Sequence, residues 1–257
     1  MFKNLFFLVG FMLIFSTSLF SQNELFEKKQ FIFKSDTLPY RILYPENYDK
    51  SKEYPVLLFL HGSGERGNDN EKQLIHGSSL FTNTQNRQKY PAIVVFPQCP
   101  SGKYWAPISR GEDNSFTFVN SKTPTEPMQL LIRLLSELKK EEAVDRKRIY
   151  VAGLSMGGMG TFDIICRKPN MFAAAVPICG GVNLERLKKV KKMPIRIFHG
   201  DADNAVPAIH SRNAYIELKA MGAQKTQIVL FKGVGHNSWD HAFKMEDFLD
   251  WIFTKHL

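Results

Sequence analysis

Cysteine is scarce in this chain. Cys99, Cys166 and Cys179 are the three present, and no two lie close together. Zinc sites and disulfide frameworks need closely or regularly spaced cysteines, so neither organises this protein. What remains is one bridge with a free thiol, or three buried thiols. Internal repeats and low-complexity linkers are absent as well. Acidic residues are in the minority, with 25 Asp and Glu against 34 Lys and Arg and a formal charge of +9. That excess is scattered, and its densest run, Lys188-Lys189-Val190-Lys191-Lys192, reads as a solvated helix end. No nucleic-acid reading motif accompanies it, so no nucleic-acid partner is expected.

The one long apolar run is at the N-terminus. Met1-Phe2-Lys3-Asn4 leads into Leu5 to Phe15, followed by small residues up to Gln22. A lysine, a short apolar stretch and small residues make a secretory signal peptide, too short for a comfortable membrane span. Cleavage is expected near Ser21, although Leu19 fits poorly at the third position before the cut. The expectation is a signal peptide over 1–21, a single domain over 22–257, export to the periplasm or beyond, and no stable membrane insertion. Losing Lys3 would leave the mature chain near +8, since 33 basic residues then face 25 acidic ones.

The rest of the chain alternates between two patterns. Phe31–Phe33 and Tyr40–Tyr44 read as opening strands. Pro55–Leu60 and Ala92–Phe96 are continuous apolar runs, as strands buried on both faces require. Further strands are expected at Arg148–Ala152, Ala173–Ile178, Ile195–Phe198 and Gln227–Phe231. Glu126–Glu142 carries Met128, Leu131, Leu134, Leu135 and Leu138 at helical spacing, with Thr125 as cap and Pro127 in the first turn. Helices are also expected around Met159–Arg167, Ala208–Met221 and Ala242–Phe253. Strands alternating with helices predict an α/β fold, a mostly parallel sheet of about eight strands with helices on both faces. Chemistry in such folds sits at the carboxyl ends of the strands.

Gly153-Leu154-Ser155-Met156-Gly157 stands where that rule looks for it, after a strand and before a helix. It matches G-x-S-x-G, the sharp turn that holds a serine nucleophile at its tip. Side chains at 153 and 157 would strike neighbouring backbone. A serine hydroxyl needs a base, and the base needs an orienting acid, in the chain order serine, acid, histidine. Asp201 and Asp203 both follow the strand ending at Phe198. Asp203 is preferred because it lies deeper in the loop, before Val206-Pro207, while Asp201 suits bonding to turn amides. His236 follows the last strand behind flexible glycines, whereas His241 belongs to the final helix and His256 to the terminus. One oxyanion donor is expected at the Met156 amide. The second is expected in the loop His61–Gly67, at Ser63 first and Gly64 next. Glu65 and Arg66 are expected to pair there.

The segments FLHGSGERGNDN, PQCP, RIYVAGLSMGGMGT, FAAAVPICGG, HGDADNAVP and GVGHNSW together resemble the α/β-hydrolase superfamily. More narrowly they are similar to bacterial esterases of the phospholipase/carboxylesterase and predicted-peptidase group, related to carbohydrate esterase family 1 with its feruloyl and acetylxylan esterases. The resemblance spans roughly residues 30 to 255. It implies Ser155 as nucleophile, Asp203 as acid and His236 as base, with the Ser63 and Met156 amides as oxyanion hole. It implies no metal or cofactor, and a small-molecule or polysaccharide ester as substrate. The long polar segment from Pro97 to Thr125 offers Gln98, Tyr104, Trp105 and Arg110 as cleft residues and Trp239 offers another wall, the alternative being that Trp105 and Trp239 only pack loops onto the domain. A peptidase of the same fold and a non-catalytic binding protein are the rival readings. Oligomeric state is not encoded in any pattern of the chain.

Overall fold

A computed structural model describes residues 23–112 and 115–257. The expected signal peptide lies outside the described residues. The main sheet has eight strands: β1 (Glu27–Phe33), β2 (Asp36–Leu43), β3 (Tyr54–Leu60), β4 (Ile93–Pro97), β7 (Val144–Leu154), β8 (Ala174–Ile178), β9 (Ile195–Gly200) and β10 (Thr226–Phe231). Their spatial order is β1-β2-β4-β3-β7-β8-β9-β10. The β1–β2 and β2–β4 pairs are antiparallel, and every other pair is parallel. β5 (Ile108–Arg110) and β6 (Phe116–Phe118) form a separate small hairpin within the long Pro97–Thr125 segment.

Strand period explains how one apolar run serves two cores. Side chains alternate across a sheet, so Leu58 and Leu60 of β3 face one buried cluster while Leu57 and Phe59 face the other. All seven residues of β3 and all five of β4 are buried. The first cluster is roofed by the helix Glu126–Glu141. Its cap Thr125 accepts a hydrogen bond from the Met128 amide, and Met128, Leu131, Leu134, Leu135 and Leu138 are all buried. Each such leucine contributes about 2 kcal/mol by leaving water.

The expected helix over Ala242–Phe253 is instead two short helices, Ser238–Phe243 and Phe248–Phe253. The break has a packing reason. Residues five apart on one continuous helix point to different sides, yet Phe243 and Phe248 meet edge to face at 5.5 Å under the sheet. Among the described residues no helix is long and apolar enough to cross a membrane. All three cysteines are free and buried, and burial pushes each thiol pKa up to about 12.

Candidate active site

β7 runs straight into Ser155, and the helix Met156–Arg167 starts at the next residue. Ser155 has φ 54° and ψ −118°, a conformation L-residues avoid. The surroundings hold it there. Its amide donates to the Ile178 carbonyl at 2.9 Å, and its own carbonyl accepts from the Met159 amide at 3.0 Å. A Cβ at Gly153 would sit 2.4 Å from the Gly157 carbonyl oxygen, and one at Gly157 would strike the Leu60 backbone. Both glycines of the turn are therefore close-approach positions, as the sequence pattern requires.

Three side chains from three strand ends converge. His236 Nε2 lies 2.9 Å from Ser155 Oγ. On the other side of the ring, His236 Nδ1 lies 2.7 Å from Asp203 Oδ2. Asp203 Oδ1 accepts from the Ala205 and Val206 amides at 2.8 and 2.9 Å. Burial alone would raise the Asp203 carboxyl, but hydrogen bonds from His199, His236 and the Val206 amide hold it well below the usual range. An ionised Asp203 fixes the proton of His236 on Nδ1, which leaves Nε2 free to accept the Ser155 hydroxyl proton. Asp201 does not bond to the amides of its own turn, which Asp203 does; its carboxylate accepts from the distant Gly233 amide at 2.6 Å and tethers the loop that carries His236.

Cys179, Asp203 and His236 also place three ligand-type atoms within 4.8 Å of one another. A hydrogen-bonded relay fits them better than a cation. Both His236 nitrogens are engaged, and the Cys179 thiol resists ionisation.

The loop after β3 lies over the serine. A Cβ on Gly62 would sit 3.6 Å from the Ser155 Cβ, and the next residues, Ser63–Glu65, form a single 3-10 turn. Met156 is the first residue of its helix, whose leading amides have no partner within the helix. Glu65 and Arg66 do not pair with each other. The Glu65 carboxylate faces His76 at 3.7 Å, while Arg66 donates to the Ser63 and Lys103 carbonyls and covers the Tyr104 ring. Those two carbonyls fix the Arg66 guanidinium on the backbone, out of reach of its neighbour.

The expected cleft residues divide. Gln98 is wholly buried and does not line the cleft. It donates to the Asp69 carboxylate and the Glu65 carbonyl and accepts from the Asn70 amide, tying down the loop after β3. Trp105 is wholly buried too, with its indole N–H donating to the His61 carbonyl. Tyr104 is half-buried under Arg66, and Arg110 lies over Phe116 in the small hairpin. Trp239 does stand at the site, its ring edge to face with His236 at 5.4 Å and against His76 at 5.2 Å. Sequence reasoning missed His61, His76, His199 and the apolar cluster of Met159, Val206, Phe116 and Phe118. His61 and His199 each begin a His-Gly pair at a strand end, the signal that could have found them.

The sequence profile of the Phospholipase/Carboxylesterase family matches residues 47–253. Feruloyl esterase B of Piromyces equi is 33% identical over 178 residues, covering 64% of this chain and 29% of that protein. A bifunctional acetylxylan esterase/xylanase of Neocallimastix patriciarum is 29% identical over 150 residues, covering 58% of this chain and 19% of its own. The chain thus spans only a minor part of these relatives. The crystal structure of a thermostable esterase superposes with a TM-score of 0.83 at 30% identity, covering 92% of this chain and 64% of that one. A CE1 ferulic acid esterase from Anaeromyces mucronatus, in complex with ferulic acid, shares the fold at TM-score 0.65 and 16% identity. With the profile match spanning most of its length, the chain belongs to the phospholipase/carboxylesterase family of α/β hydrolases.

Proposed function

We propose that this protein is an exported serine esterase that cleaves carboxylic esters through an acyl-enzyme. The observation that carries the reading is the continuous hydrogen-bonded path from Ser155 Oγ through His236 to Asp203, at a strained elbow. Ser155 attacks the ester carbonyl while His236 Nε2 takes its proton. The Met156 and Ser63 amides hold the negative oxygen, each worth about 3 kcal/mol in the transition state. His236 then returns the proton to the departing alkoxide, and the alcohol leaves. Water, deprotonated by His236, cleaves the acyl-enzyme and restores Ser155.

Feruloyl or acetyl esters of polysaccharide are the proposed substrates. The feruloyl and acetylxylan esterases among the relatives support this class. So does the aromatic side chain of Trp239 beside the base, which suits a sugar or hydroxycinnamoyl ring. The N-terminal pattern of residues 1–21 supports export.

The test is hydrolysis of p-nitrophenyl acetate, methyl ferulate, acetylated xylan and a chromogenic peptide by wild type and Ser155→Ala. Ester turnover that disappears in the variant is expected. Peptide turnover without ester turnover would convert the reading to a peptidase. Equal rates for both proteins would remove Ser155 from the chemistry.

A further inference from the structure

His199 stands in β9, four residues before Asp203, with its side chain fully buried. It is not part of the Ser155–His236–Asp203 path. Yet its Nε2 lies 3.2 Å from Asp203 Oδ2, the same oxygen that accepts from His236. That nitrogen also lies 2.8 Å from the Val206 carbonyl oxygen. An ionised carboxylate and a carbonyl can only accept, so Nε2 carries a proton.

The other ring nitrogen decides the charge. His199 Nδ1 lies 2.7 Å from Ser211 Oγ, and Ser211 Oγ lies 3.0 Å from the Gly180 carbonyl oxygen. A hydroxyl has one proton to give. Given to Nδ1, it leaves the buried Gly180 carbonyl facing an oxygen lone pair. Given to Gly180, it requires Nδ1 to be the donor toward Ser211. Only the second pattern satisfies every group, and buried polar groups are very rarely left unsatisfied. It requires protons on both nitrogens of His199.

We propose that His199 is a positioning residue, a buried imidazolium that clamps Asp203 at the same carboxylate oxygen that accepts from His236. This rests on the serine-esterase reading of the site. A buried cation needs a paired anion, and Asp203 is the anion of this cluster. The other titratable groups around the ring are His236 across Asp203, His210 next to Ser211 on the helix Ile209–Ala220, and Cys179 after β8. Leu230, opposite His199 on β10, is uncharged. Burial lowers the His210 pKa, and repulsion from His199 lowers it further. The Cys179 thiol stays protonated. A fixed positive charge behind Asp203 opposes protonation of His236 in the resting enzyme and keeps the base usable at lower pH.

Two measurements test this. Side-chain 15N NMR of the assigned wild-type chain at pH 8 is expected to show both His199 nitrogens protonated. A neutral ring there overturns the proposal, whatever the activity. The second measurement is the pH profile of kcat/KM on p-nitrophenyl acetate for wild type, His199→Gln and Ser211→Ala. Removing the charge, or the acceptor that sustains it, is expected to move the acid limb up by about one pH unit, less for Ser211→Ala. A purely structural role would lower the rate without moving the limb, and that result also overturns the proposal. Should His199→Gln fail to fold, Ser211→Ala and the wild-type spectrum still decide. Absence of any Ser155-dependent ester turnover would sink the esterase reading instead, and the spectrum would still report the charge on His199.

Discussion

Gly157 lies so close to the Leu60 backbone that a Cβ there would sit 1.9 Å from the Leu60 carbonyl oxygen. The obstacle is main chain in a central, fully buried strand, so nothing can swing aside. Gly157→Ala must therefore push the helix Met156–Arg167 away from β3 and spoil the elbow. We expect it to cost more than about 3 kcal/mol and to abolish ester turnover. Gly64 is the matched control, since nothing lies within 4 Å of its added Cβ. Gly64→Ala should keep stability within about 0.5 kcal/mol of wild type. Thermal unfolding of the two variants checks both statements.

Asp203 yields a pH signature. Burial would raise its carboxyl, yet hydrogen bonds from His199, His236 and the Val206 amide hold it well below the usual range. A depressed carboxyl stabilises the fold fully above the unfolded-state value of about 4, and the contribution fades as pH falls through the native value. Asp203→Asn keeps the shape but presents a donor to the donors of His199 and His236. The variant should lose about 10⁴-fold in kcat, the scale this exchange has in a serine-protease triad. Its deficit in melting temperature should be largest near pH 7 and shrink below pH 4. A deficit that grows on acidification would contradict the assigned charge.

Much of this site was legible in the chain because its constraints are local. A G-x-S-x-G turn has to follow a strand and open a helix, and the acid and the base have to follow later strands. Order singled out Ser155 but left Asp201 beside Asp203 and two later histidines beside His236, and position within the loops made the choice. The central strands were readable because they are short apolar runs between turns, whereas the polar start of β1 and the charged first half of β7 were missed. Gln98 and Trp105 were misplaced because sequence gives no distance. Both stand in a long polar segment, and only the folded chain shows them turned inward under the loop after β3. The broken last helix depends on where Phe243 and Phe248 find room, which is a tertiary fact.

Gln98 therefore makes a stability prediction rather than a binding one. Its amide bonds to the Asn70 amide, the Glu65 carbonyl and the Asp69 carboxylate, all in the segment that follows β3. Gln98→Ala leaves the buried Asn70 amide and Glu65 carbonyl without it and should cost about 2–3 kcal/mol. kcat should fall because the loop carrying Ser63 loosens. A change in KM with an unaltered melting temperature would return Gln98 to the cleft wall.

Of the expected cleft residues, Trp239 is the one the fold brings against His236. Its ring stands edge to face against His236 and also packs against His76. Hydrogen bonds at Nδ1 and Nε2 fix the two ends of the imidazole, and Trp239 limits its sideways swing. Small misplacements of a general base are costly, because proton transfer depends steeply on alignment. Trp239→Ala should lower kcat by about tenfold on p-nitrophenyl acetate, a substrate too small to need a binding wall. Trp239→Phe keeps an aromatic face beside His236 and should recover most of that loss. If Trp239→Ala instead leaves kcat for the acetate unchanged and raises KM for methyl ferulate alone, Trp239 grips the acyl group and plays no part in steadying the base.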